Sequence, residues 1–426
     1  MIWSKYNYIF NTQHGDFLYN SFTNNLMQVS PDFLEIVDLC KTGKYSQVST
    51  DVIESLNKHH ILVDDDLDLY EQIKAERLAS RYNTKYLSLT IAPTTGCNFK
   101  CSYCYEAGVT ANIVKDKTVS IEDIVAFVDS FKSIDFLRVT WYGGEPLLMS
   151  DYIESLSNKF KEMFADYNAY MITNGYLLDK SKAAKLKALN IKGLQITVDG
   201  LEATHNKRRP HKTNADSFQR IISNLDNLFN VYPEVLVSLR INVDKTNEYE
   251  YHKLYQFLKT KFGKYNVNIH PGYVTDEFSS EPNRCCFLYD EINDFVIRQY
   301  DDYRIPISLY PSSSFGECCA RHMTSFVIGP RGELYKCWND IGIVNREIGN
   351  VKDFSLSNKK AVRYLLTNDP LENENCKDCF CFPICNGGCP YNRIYHSDKQ
   401  NKFCEAKKES IKAFLPRYVD YKINKI

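Results

Sequence analysis

Between residues 87 and 272 the chain alternates short apolar runs with amphipathic stretches, and that alternation predicts its architecture. The runs Leu87–Pro93, Leu137–Tyr142, Tyr170–Thr173, Leu194–Val198, Val235–Val243 and Val267–Gly272 have the length and composition of buried strands. Between them, apolar residues recur at helical spacing over Ser120–Lys132, Tyr152–Phe164, Lys180–Leu189, Ser217–Phe229 and Glu248–Leu258. Ser120 followed by Asp123 makes a capping-box-like helix start. Strand and helix in regular alternation predict a parallel sheet of βαβ units, an α/β fold. Six units are too few to close an eight-stranded barrel, so the expected form is a partial (β/α)6 barrel with ligands at the carboxyl ends of its strands.

The flanks read differently. Tyr6–Phe10, Asp16–Tyr19 and Asn25–Val29 are short strand patterns separated by turn residues, followed by helical stretches at Pro31–Thr42 and Thr50–Lys58 and an apolar exit, Ile61–Val63, into acidic Asp64–Asp68. Small strands with helices predict a winged-helix-like module. No basic recognition helix marks it as a nucleic-acid binder, which favours peptide or domain docking. Beyond residue 275 a helix around Leu288–Tyr303 leads into turn-rich, cysteine-rich sequence, expected to rely on metal staples rather than a large apolar core. The chain thus divides into residues 1–80, 81–280 and 281–426.

Composition narrows the function classes. A hydrophobic fraction of 44%, a charged fraction of 25% and a net charge of −1 describe an ordinary globular protein with no global field for nucleic acid or anionic lipid. The N-terminus lacks a signal-peptide apolar region, and no 18-residue apolar stretch occurs, so the expectation is a cytoplasmic protein without membrane or nucleic-acid partners. Its fifteen cysteines then point to metal binding or redox chemistry, because a reducing compartment does not sustain a disulfide framework.

Three of those cysteines, Cys97, Cys101 and Cys104, lie in the loop after the first predicted strand at C-x3-C-x2-C spacing. Three thiolates can hold three irons of a [4Fe–4S] cube and leave the fourth open to a small molecule. A zinc site would want a fourth ligand nearby, and neither Cys nor His follows within twenty residues. With Tyr103 before the last cysteine, the motif resembles the signature of the radical S-adenosylmethionine (SAM) superfamily. Other segments match in order. Gly143-Gly144-Glu145-Pro146 resembles the GGEP motif that meets the SAM amino group. Asn174 ends the third strand, Thr197 lies on the fourth, and Arg240-Ile241-Asn242 resembles the strand-five segment. His205-Asn206-Lys207-Arg208-Arg209 resembles the His-Asp-x-x-Arg segment whose arginine approaches the SAM carboxylate, with Asn206 in place of Asp. The resemblance therefore implies SAM contacts at Tyr103, Gly143, Gly144, Glu145, Asn174, Thr197 and Arg209. The chemistry agrees: a carboxylate and opened backbone can grip an ammonium, and a guanidinium can bind a carboxylate bidentately.

The C-terminal cysteines resemble the SPASM extension of radical SAM enzymes that modify peptides and proteins. That resemblance implies two auxiliary [4Fe–4S] clusters, one held by Cys319, Cys337 and Cys389, the other by Cys376, Cys379, Cys385 and Cys404, for three clusters in all. No cysteine lies between Cys319 and Cys337. We therefore expect an open iron in the first auxiliary cluster, unless Cys318, Cys285, Cys286 or Cys381 closes it. Cys40 reads as a packed core thiol. Asp290, Asp340, Tyr273 and His270 read as structural, and the catalytic base is not identified.

By the same resemblance, the cluster reduces SAM to methionine and a 5′-deoxyadenosyl radical that takes hydrogen from a substrate. The N-terminal module resembles the leader-recognition element of maturases that cross-link ribosomally made precursor peptides, often through Cys thioethers. Expected partners are such a precursor and a reductant such as flavodoxin or ferredoxin. Two alternatives stand beside this reading: an anaerobic sulfatase maturase making formylglycine, and a non-catalytic iron–sulfur electron carrier.

Overall fold

The computed structural model describes residues 1–104, 106, 118–214, 216–275, 285–312, 317–343, 345–355 and 358–424. The expected boundary at residue 280 lies outside them. Packing divides the chain into two units, one of Met1–Tyr82, Tyr289–His322 and Tyr364–Ile426, the other of Asn83–Leu288 and Met323–Arg363.

In the first unit, β1 (Ile2–Trp3) pairs antiparallel with β5 (Leu62–Val63), while β2 (Asn7–Thr12), β3 (Gly15–Asn20) and β4 (Asn25–Val29) form an antiparallel sheet. Period-two alternation gives this sheet two apolar faces. Leu18 and Ile9 pack with Cys40, Leu56, Ile61 and Leu62, where Cys40 is a buried thiol. Phe10, Phe17 and Tyr19 pack with Ile384, Ile411, Leu415 and Val419. The C-terminal segment thus shares an apolar core with the N-terminal sheet, where the expectation was of no large apolar core. Much of that core comes from the helix Ser397–Ile423, which packs on Tyr289–Tyr303 through Arg417 to Asp301 (2.6 and 2.8 Å) and Tyr300 to Asp420 (2.6 Å).

A second unforeseen element is the helix Asp66–Arg81, capped by Asp65, which accepts from the Leu67 amide. It buries two arginines, because its inner face meets polar partners from distant sequence. Arg81, 1% exposed, donates to both oxygens of Glu317 at 2.6 and 2.7 Å and to Asp369. Removing one member of a buried ion pair strands the others, so Arg81→Met is expected to cost about 3–5 kcal/mol. Thermal unfolding of the purified variant measures this, and an unshifted Tm would contradict it.

In the second unit, six parallel strands run in spatial sequence: β6 (Tyr86–Ile91), β7 (Phe136–Trp141), β8 (Asp166–Thr173), β9 (Ile191–Thr197), β10 (Leu236–Val243) and β11 (Val267–Tyr273). Helices Ile121–Asp129, Ser150–Met163, Lys180–Leu186, Phe218–Val231 and Tyr251–Phe262 connect them. This is the expected partial barrel, extended on the β6 edge. There β12 (Ser325–Ile328) pairs parallel to β6, followed by antiparallel β13 (Glu333–Tyr335) and β14 (Gly349–Asn350). Among the described residues, no helix is long and apolar enough to cross a membrane.

Candidate active site

The loop after β6 carries Cys97, Cys101 and Cys104, and the turn after β7 is laid directly against it. The amides of Gly144 and Glu145 donate to the Thr94 and Gly96 carbonyls at 3.1 and 2.9 Å. Side chains at these glycines would not fit. A Cβ on Gly143 (φ +116°) would lie 2.2 Å from the Thr94 oxygen, and one on Gly144 2.3 Å from two loop oxygens. The two glycines therefore permit contact between the cysteine loop and the neighbouring strand end.

Glu145 is fully buried and ties three strand ends together. It accepts from the Leu147 amide (3.0 Å), the Thr173 hydroxyl (2.6 Å) and the Asn174 amide (2.8 Å). Burial pushes its carboxyl up, partly offset by these donors. Three of about four acceptor positions are thus taken within the chain, so the carboxylate clamps the turn and keeps about one position for the ammonium expected from the sequence. Asn174 next reaches the cysteine loop, donating to Asn98 Oδ1 at 2.7 Å, with its Nδ2 3.9 Å from Cys97 Sγ.

On the opposite side, Tyr103 receives hydrogen bonds from Arg209 Nη1 (2.6 Å) and Asn242 Nδ2 (3.1 Å). Arg208 pairs with Asp199 (3.2 Å) and Asp244 (2.8 Å), leaving its Nη2 without a partner among the described residues. Arg209, by contrast, stands 3.8 Å from Asp199, and its buried Nε has no partner among the described residues. His205 accepts the Asp199 amide at 3.2 Å, and burial beside both arginines holds it well below the usual imidazole range, hence neutral. Asn206, the departure from the usual motif, is accounted for: its Oδ1 accepts from Ser217 N, Ser217 Oγ and Phe218 N at 2.9–3.1 Å, capping the helix Phe218–Val231. Thr197 is buried at the end of β9, in register with Arg240. Asp244 was not foreseen, and Asn98, Asp199 and Asn242 lie within or beside the recognised motifs without a role read for them, because only their spatial partners mark them.

The site fits a thiolate-bound cluster with a zwitterionic ligand beside it. Burial pushes the Cys97 thiol up to about 11 and raises Cys101 and Cys104, so bound iron would be what holds them as thiolates. The buried Arg209 Nε and Asn98 Nδ2 are donors without partners among the described residues, as an absent acceptor would leave them.

In the first unit, Cys376, Cys379, Cys385 and Cys404 line one cleft of about 660 Å³ together with Arg393 and Gln400. Among the described residues no three His, Cys, Asp or Glu side chains converge as ligands of a single ion do; the four sulfurs ring a space instead. Cys319 and Cys389 lie in this unit and Cys337 in the other. Cys318 and Cys319 share a hydrogen bond, as do Cys379 and Cys381. Cys286 is buried and Cys285 half-buried after β11.

Residues 91–258 match the radical SAM superfamily model. A cysteine-type anaerobic sulfatase-maturating enzyme of Clostridium perfringens is 26% identical over 377 residues, 78% of this chain and 98% of that protein. A GTP 3′,8-cyclase of Mannheimia succiniciproducens is 22% identical over 45% of this chain and 55% of its own length. Among solved structures, native anSMEcpe with bound AdoMet covers 80% of this chain and 100% of its own, with TM-score 0.62 and 21% identity. SuiB of Streptococcus suis bound to S-adenosylmethionine covers 94% and 98%, with TM-score 0.53 and 15% identity.

Proposed function

This chain carries a radical SAM domain and is an enzyme, and from that premise we propose that it matures a ribosomally made peptide by cross-linking it, through a Cys thioether. The carrying observation is one of extent. Sulfatase-maturase relatives are covered almost entirely yet account for 78% of this chain, whereas the SuiB fold extends over 94% of it. Residues 1–80, which carry an antiparallel sheet of their own, would serve as the leader-binding module, with the precursor added as a strand to a sheet edge. The electron-carrier alternative falls away with the enzyme assignment.

When bound, the [4Fe–4S] cluster and SAM supply reductive cleavage to a hydrogen-abstracting 5′-deoxyadenosyl radical. Cys97, Cys101 and Cys104 would hold the cluster through three irons. Arg209 would take the SAM carboxylate with its uncommitted Nε, oriented by Tyr103 and Asp199. The Gly143–Gly144 turn would present backbone to the ammonium, and Glu145, Thr173 and Asn174 would hold that turn in place. Thr197 would line the ligand's far side. Cys376, Cys379, Cys385 and Cys404 would bind one auxiliary cluster, and Cys319 and Cys389 of the same unit would contribute to the other. A flavodoxin or ferredoxin would supply the electron.

Arg209→Met is expected to weaken SAM binding about ten- to a hundredfold, the equivalent of one charged hydrogen bond of about 1.5–3 kcal/mol. Anaerobic equilibrium dialysis measures it, and an unchanged Kd would remove Arg209 from the site. The second reading, formylglycine formation on a cysteine, is favoured by the 26% identity to the sulfatase-maturating enzyme. Mass spectrometry separates the two after incubation of reconstituted enzyme, SAM and dithionite with a Cys-containing precursor encoded nearby and a sulfatase-derived Cys peptide. Loss of hydrogens with retention of sulfur in the precursor supports cross-linking. Replacement of the thiol by an aldehyde in the sulfatase peptide alone supports the alternative and ends the first reading.

A further inference from the structure

Among the described residues, two buried guanidiniums in the first unit have no carboxylate within ion-pair distance, which cations in a protein interior ordinarily require. Arg77 is 0% exposed. Its Nη2 donates to the Phe382 carbonyl (2.8 Å) and Asn386 Oδ1 (3.1 Å), and its face lies 4.2 Å from the Phe382 ring. Its Nε and Nη1 have no partner, and no carboxylate stands within ion-pair distance, among the described residues. Arg393, 8% exposed, donates to the Gly387 carbonyl and, through Nη2, to Cys376 Sγ at 3.1 Å. Their neighbours Arg81 and Arg321 are balanced by Glu317 and Asp369, so Arg77 and Arg393 are surplus. Uncompensated buried charge costs several kcal/mol per ion, and neutral thiols offer nothing to offset it.

The same place gathers donors around sulfur. Arg393 reaches Cys376, the Gly387 amide reaches Cys385 at 3.3 Å, and Gln400 Nε2 reaches Cys404 at 3.3 Å. Cys379 accepts from the backbone of Cys381 and Phe382. Each of the four sulfurs lining the cleft thus has a donor aimed at it, and Arg77, beyond ion-pair distance of any described carboxylate, interacts electrostatically first with Cys385, then with Glu317 and Cys376. Four thiolates around a [4Fe–4S] core in its oxidised state carry a net charge of about −2, equal and opposite to the two surplus arginines.

We infer that Arg77, on the helix Asp66–Arg81, and Arg393 are positioning residues that neutralise an iron–sulfur cluster held by Cys376, Cys379, Cys385 and Cys404 and raise its reduction potential. The inference rests on the assignment of a cluster to those cysteines. Reduction adds a negative charge, which nearby cations and N–H···S hydrogen bonds favour. The N-terminal segment, through Arg77, would then hold the cluster ready to accept an electron.

The test uses reconstituted full-length protein carrying Cys97, Cys101 and Cys104 as alanine, so that only auxiliary clusters titrate. Added substitution Cys376→Ala/Cys385→Ala identifies the relevant signal by loss of about four irons. In an EPR-monitored redox titration, Arg77→Met is expected to lower that cluster's midpoint so that the reduced-to-oxidised ratio at fixed potential falls about tenfold, 59 mV for one electron. Arg77→Lys should restore most of the shift, and Arg393→Gln should move it the same way. Assembly of the cluster in Arg77→Lys but not Arg77→Met also supports a need for the charge. Full iron and an unmoved midpoint in Arg77→Met overturn the inference while the cluster assignment stands, and misfolding of both Arg77 variants overturns it as a merely structural role. Unchanged iron in the Cys376→Ala/Cys385→Ala variant overturns the cluster assignment itself, and the inference with it.

Discussion

Replacing Cys97, Cys101 and Cys104 together with alanine is expected to reduce 5′-deoxyadenosine formation by at least about a thousandfold, some 4 kcal/mol on the barrier, while leaving the chain folded. The two halves of that expectation have separate causes. The loop that carries the cysteines is held by backbone bonds from Gly144 and Glu145 to Thr94 and Gly96, and from Lys100 to Pro210 and Ser102 to Arg208, none of which uses a thiol. The thiols themselves are buried enough to be pushed upward in pKa, so alanine in their place removes polar atoms without opening a charged void. What is lost is the capacity to hold iron, and about four irons per chain should disappear with the activity. Anaerobic iron counting, far-UV circular dichroism and a nucleoside assay after dithionite reduction read the three quantities separately. SAM cleavage that survives in the triple variant would mean the initiating cluster lies elsewhere.

Gly143→Ala is expected to be damaging, though less so, for a different reason. The added Cβ would sit 2.2 Å from the Thr94 carbonyl oxygen at a φ of +116°. Backbone strain of about 1–3 kcal/mol adds to overpacking of about 1–3 kcal/mol or more. Neither contact can be relieved by a side-chain rotation, because the obstacle is backbone. The cysteine loop must move instead, taking Cys97 out of reach of Asn174. Cluster occupancy and SAM cleavage should both fall about tenfold or more, on the scale of one decade per 1.36 kcal/mol, with a lower Tm. Gly43→Ala is the control: its φ is also positive, at +73°, but nothing lies within 4 Å. A Gly143→Ala protein that loads iron and melts like the parent would refute the close-approach argument.

The alternation of strands and helices and the spacing of the first three cysteines could be read directly from the chain, because both are local. Period and turn chemistry need only neighbouring residues, and a loop of eight residues places three thiols on one strand end whatever surrounds it. Conversely, the pairing of β12 with β6 joins residues more than two hundred positions apart, and no local pattern in Ser325–Ile328 specifies a partner. The same holds for the helix Asp66–Arg81, whose charged sequence reads as solvent-facing until Glu317 and Asp369 arrive to bury it. Within the site, the motif could nominate Arg209, but only the fold shows that Asp199 and Asp244 pair with Arg208 and that Glu145 turns its carboxylate inward on Thr173 and Asn174. The amino-acid sequence by itself determined the barrel's repeating units and where the three closely spaced thiols lie along it. Which charges are spent and which remain for a ligand was decided by tertiary structure, because electrostatic balance in a low-dielectric interior depends on groups that meet only after the chain has folded.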